Sequence, residues 1–146
     1  LKAKMRSDKW YSPFSKIPSV PKKLLWYYRK PVFLEHYLRV LYNSKIVLNA
    51  HSNIAGQAKG NMRIFETLGM KSLLFSDSGE YPEMLEAGRD FVSYRGKDDL
   101  LKLIEYYMSH QKEAQTIAQQ GYQTLKKHYS VEQGEKRIVQ IVSSYL

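Results

Sequence analysis

Three short apolar runs, KIVLNA from Lys45, KSLLFSD from Lys71 and DFVSYR from Asp90, set the strongest limit on what this chain can fold into. Each has the length and the aliphatic, β-branched content of a buried strand. Helix-period stretches separate and follow them. NMRIFETLG carries Met62, Phe65 and Leu68 on one side and ends at Gly69, a residue free to take positive φ and stop a helix. SGEYPEMLEAG reads as a loop, a helix of one to two turns and another glycine stop. DDLLKLIEYYMS opens on Asp98 and Asp99, where acidic side chains suit the helix dipole. Two further helices are expected over 111–127, lined by Ala114, Ile117, Ala118, Tyr122 and Leu125, and over 131–145, capped by Ser130 and lined by Ile138, Ile141, Val142 and Tyr145. Ahead of the first strand, EHYLRVLYNS places Tyr37, Leu38, Leu41 and Tyr42 on one helical face. Strands alternating with helices predict an α/β fold with a small parallel sheet, because parallel neighbours need a crossover.

Composition narrows the class. The 146 residues, 43% of them hydrophobic and with no long apolar run, amount to one globular domain and exclude both a disordered chain and a membrane-spanning one. Without cysteine there is no disulfide framework, no thiolate zinc site and no cysteine nucleophile. No secretion-signal pattern opens the chain, and a cytoplasmic location is the expectation. The net charge of +9 sits entirely in residues 1–50, which hold eleven Lys and Arg against Asp8 and Glu35; the rest is balanced, with twelve of each sign. The same segment contains Pro13, Pro18, Pro21 and Pro31 and many aromatic rings. Residues 1–34 therefore read as an irregular basic, aromatic arm and residues 35–146 as the α/β lobe. Lysines beside rings suit nucleic acid or another anionic polymer, or an anionic membrane surface. They also suit rings packed on a neighbouring lobe with the lysines left in water.

In an open parallel sheet, ligands bind beyond the carboxyl ends of the strands. The first strand is expected to end at His51, the loop after it carries Gly56 and Gly60, and the next helix starts near Asn61. A glycine loop admits close backbone approach, and the free N–H groups of a helix start favour phosphate. Arg63 lies one turn into that helix, with Glu66 three residues on. An arginine fork can bridge phosphate oxygens, and a carboxylate can accept from two vicinal hydroxyls. The alternative for this pair is a solvated Arg63–Glu66 ion pair. His51 can face the cleft or simply be a hydrogen-bonded histidine at a strand end. His36, His110 and His128 have no partners at metal-ligand spacing, so no metal site is expected. Glu83 and Glu86 read as a solvated face, and Asp77 as a turn cap.

SKIVLNAHSN, NMRIFETLGMKSLLFSD and GEYPEMLEAGRDFVSYRGKDDLLKLI together resemble the carboxy-terminal domain of GT-B glycosyltransferases of group 1, in particular the CgeB-like spore-maturation branch. The likeness runs from about Pro31 to Leu146 and is densest between Ser44 and Tyr94. The resemblance implies a Rossmann-like three-layer lobe that binds the nucleoside diphosphate of an activated sugar, with no cofactor beyond that donor and no metal. It implies that Glu66 holds the ribose hydroxyls, that Arg63, Asn61 and Gly60 lie where the diphosphate is approached, and that His51 faces the same cleft. Ala58 stands where many relatives carry a glutamate near the donor sugar. A complete GT-B enzyme has two lobes and 146 residues hold one. An amino-terminal lobe in the parent chain or a partner is therefore expected to supply the acceptor site, and transfer by this lobe alone is not expected.

Overall fold

The computed structural model describes residues 32–51 and 56–145. Residues 1–31 of the arm expected over 1–34 lie outside the described residues; Phe33 is exposed and Leu34 already belongs to the first helix. Phe33–Leu146 forms a compact unit of its own.

Three strands, β1 (Ile46–Asn49), β2 (Leu73–Asp77) and β3 (Val92–Tyr94), form one sheet in that order. Both pairings are parallel, as expected, with Leu48 beside Phe75 and Phe75 beside Val92. Helix α1 (Leu34–Tyr42) precedes β1, and α2 (Met62–Gly69) links β1 to β2. After β3 come α3 (Gly96–Ser109), α4 (Gln111–His128) and α5 (Val131–Ser143).

Side chains alternate across the sheet and build a core on each face. On one face Leu73, Phe75, Val92 and Tyr94 meet Ile117 and Ala118 of α4, with Leu103, Ile104 and Tyr107 of α3 around them. On the other, Leu74 and Phe91 meet Ile64 and Leu68 of α2 together with Leu85. Helix α4 serves both cores, since Leu125, two turns beyond Ile117, packs with the second cluster. It passes the sheet closely at Gly121, where a Cβ would collide with the backbone carbonyl of Asp90 and with Leu68.

Three local expectations are corrected. The helix expected within SGEYPEMLEAG is a set of turns. The carboxylate of Asp90 accepts from the Glu86 N–H at 2.9 Å, and the Asp90 N–H donates back to the Glu86 carbonyl at 2.9 Å. The first of these bonds gives the Glu86 N–H a side-chain partner and the second closes a single isolated turn, and the β2–β3 crossover contains no helix. Gly69 is not the positive-φ stop of α2 either. It is the last helical residue and packs against Leu125, while Lys71 takes φ 58° and stacks its ammonium 4.5 Å from the Tyr122 ring centre. Finally, Ser130 caps α5 by accepting from the Gln133 N–H, but the predicted core face of that helix is open. Ile138, Ile141 and Val142 are each more than half exposed and no residue of α5 is buried. The amphipathic pattern is genuine, but nothing among the described residues covers it. Also among the described residues, no helix is long and apolar enough to cross a membrane.

Candidate functional site at the carboxyl end of the sheet

β1 and β2 both run toward one edge, and their last residues gather polar groups there. Asn49, the buried final residue of β1, exchanges side-chain hydrogen bonds with Asn61, whose amide donates at 3.0 Å, and donates to Ser76 Oγ at 3.1 Å. Asn61 is the N-cap of α2 and accepts from the Ile64 N–H at 3.3 Å. The start of the helix is thereby fixed to the end of the strand, leaving the other N–H groups of its first turn directed outward.

His51 lies two residues beyond the observed end of β1. Asp77 Oδ1 accepts from both its backbone N–H, at 3.0 Å, and its ring Nδ1, at 2.7 Å. A carboxylate only accepts, so Nδ1 carries the proton, and Nε2 is left buried with no partner among the described residues. Asp77 Oδ2 pairs with the ammonium of Lys59 at 2.7 Å. Burial alone would raise the Asp77 pKa, but the bonds from Lys59 and His51 outweigh it and hold the carboxyl below its usual range. Tyr81 lies edge-on to His51, and burial pushes its phenol up to about 12.

The same ion pair fixes the loop before α2. The Lys59 N–H donates to the Glu80 carbonyl and the Glu80 N–H to the Gln57 carbonyl, both at 2.8 Å. Gly79 is required for that approach, because a Cβ would meet the Lys59 stem and the Gln57 carbonyl.

On the flank of α2 the expected residues stand differently from an ion pair. Arg63 is exposed and forms no salt bridge among the described residues. Glu66 Oε2 accepts from the hydroxyl of Tyr37 on α1 at 2.8 Å, and the Arg63 guanidinium lies 5.8 Å from the centre of the same ring. Burial, then the bond to Glu66, raises the Tyr37 pKa against an opposing effect of Arg63.

The predicted residues thus form two groups. Asn61 ties the start of α2 to the strand end, with Gly60 exposed beside it, and His51 belongs to the Asp77–Lys59 cluster; Arg63 and Glu66 meet through Tyr37. His51 contacts neither Arg63 nor Glu66 among the described hydrogen bonds and ion pairs. Glu83 and Glu86 are exposed, as expected, and Glu86 pairs with Arg89 at 2.7 Å. Sequence reasoning did not single out Lys59, met Asn49 only in the Asn-x-His strand end of the resemblance, took Asp77 for a turn cap, and assigned Tyr37 to a packing face. The strand ends at Asn49 and Asp77 were the available signals.

Comparison with known proteins agrees with this architecture. The chain matches, over 70% of its length, a solved structure of the C-terminal domain of a glycosyl transferase group 1 family protein, LpcC, from Francisella tularensis, at TM-score 0.55 and 18% identity. The chain spans 53% of that solved chain. At that identity the likeness concerns the fold, an α/β Rossmann-like layer of the kind found in a GT-B C-terminal domain. No curated protein matches the sequence. The model of the family described as Glycosyl transferase-like matches residues 10–141, nearly the whole chain, including the strand-end residues and the α2 helix that build the site. On that match, this protein belongs to the Glycosyl transferase-like family.

Proposed function

We propose that this chain is the donor-binding lobe of a glycosyltransferase, of the CgeB-like branch, and that it holds the nucleoside diphosphate of an activated sugar. The observation that carries the reading is the state of α2 at the carboxyl edge of the sheet. Its first turn is tied to β1 through Asn61, Arg63 is free of protein carboxylates among the described residues, and Glu66 keeps one oxygen beyond the bond from Tyr37. Such a helix start offers N–H groups and a cation to a diphosphate, and a carboxylate to ribose hydroxyls. Metal-free stabilisation of the leaving diphosphate by those N–H groups and Arg63 is part of the proposal, in the manner of preorganised electrostatic catalysis. A second lobe, in the parent chain or a partner, would bring the acceptor.

Calorimetric titration of the 146-residue chain with UDP, GDP and their sugars tests the reading. Binding is expected, and Glu66→Ala should weaken it about tenfold or more, the scale of losing hydrogen bonds to a charged group. Absence of binding to any of these, together with salt-sensitive RNA or DNA binding lost on removing residues 1–30, would place the function in the arm instead.

A further inference from the structure

Arginine and glutamate three residues apart on a helix are placed to pair, and a pair of that kind costs little to form in water. If Arg63 and Glu66 paired, each would consume the other's capacity: the guanidinium its charge, the carboxylate its acceptor oxygens. They do not pair here. Tyr37, reaching over from α1, donates its hydroxyl to Glu66 Oε2 at 2.8 Å and presents its ring to the guanidinium at 5.8 Å. Glu66 is half-buried and Tyr37 likewise, whereas Arg63 is exposed. A hydrogen bond to a carboxylate from a partly buried phenol fixes the carboxylate's rotation, because the donor is carried on a rigid ring with two torsions. Oε1 is then left as the acceptor that can turn to a ligand.

We infer that Tyr37 is a positioning residue: it holds the Glu66 carboxylate by one oxygen and keeps Arg63 from capturing it, so that hydroxyl recognition and anion recognition stay on separate side chains. This rests on the donor-binding reading given above. Without the phenol oxygen, Arg63 can close on Glu66, and the chain would lose discrimination for a ribose more than affinity for phosphate.

The test is a comparison of ligands. The whole chain is titrated with UDP and GDP and with the 2′,3′-dideoxy form of whichever binds. The wild type should prefer the ribose form by about tenfold. Tyr37→Phe, whose ring packs as tyrosine does, should cut that preference at least threefold at an unchanged melting temperature. Glu66→Gln should abolish it, and adding Tyr37→Phe to Glu66→Gln should change nothing further. A merely structural tyrosine would not alter a ratio between two ligands. If Glu66→Gln removes the preference while Tyr37→Phe keeps it in full, the positioning role is wrong and the donor-binding reading stands. If neither nucleotide binds, the donor-binding reading fails, and this inference with it.

Discussion

A lysine as buried as Lys59, 6% exposed, is paired with the Asp77 carboxylate 2.7 Å away, and Asp77 in turn holds His51 by two bonds. Removing one member of such a pair strands the other. Asp77→Asn is therefore expected to destabilise the fold by about 3 kcal/mol, read from urea unfolding. Lys59→Met, which leaves Asp77 its histidine and partial access to water, should cost less; no loss from either variant would show that the pair is not what holds the loop. The neighbouring polar residues differ in how plainly the sequence announced them. Asn61 was placed at the start of its helix without its capping bond, and Glu66 came from the resemblance. Lys59 had no such signal, because a lysine in a loop is ordinarily in water and only the approach of the Gly79 turn encloses this one. Tyr37 was placed on the right helix but as packing, since no periodicity shows that its hydroxyl reaches a residue 29 positions away.

At the scale of elements, α/β alternation was legible because strand-length apolar runs and helical periods differ in kind. All three strands and every helix outside the 78–90 crossover emerged near their expected places. The crossover failed because composition cannot show that the Asp90 side chain will satisfy backbone groups there; Thr124 of α4 completes that arrangement, donating to Asp90 Oδ1 at 2.7 Å. The carboxyl end of α2 failed because Gly69 is used for packing while Lys71 takes the left-handed conformation. Close passage of α4 past the Asp90 carbonyl and Leu68 makes a direct prediction: Gly121→Ala should cost about 1–3 kcal/mol by overpacking, measured by thermal or urea unfolding. Helix α5 contrasts with it. Because none of its residues is buried, Ile138→Ala should change stability by less than about 0.5 kcal/mol, and a loss of several times that would mean the helix is covered in solution.

For the whole molecule, charge and titration set the limits of stability. Asp77 and Asp90 are both held below the ordinary carboxylate pKa despite burial, Asp90 by Arg89, the Glu86 N–H and Thr124. A depressed folded pKa means the unfolded chain binds protons more readily, so their contribution is complete above the ordinary carboxylate pKa and is lost as the pH falls through the folded values. Tyr81 acts in the opposite direction. With its folded pKa near 12 against an ordinary 10.0, its contribution is intact below about pH 10 and disappears as the pH rises through 12. Unfolding free energy followed across pH should show both flanks, and Tyr81→Phe should remove part of the alkaline one. Net charge said little about any of this, since the +9 belongs to residues 1–50 and residues 51–146 are balanced.

The central claim, that the start of α2 receives a nucleoside diphosphate, is tested most directly by amide chemical shifts of the isotopically labelled chain titrated with UDP and with GDP. The account predicts saturable shifts at Gly60 to Glu66 and at His51, with α5 unmoved. Shifts confined to residues 1–31, or none from either nucleotide, would contradict it.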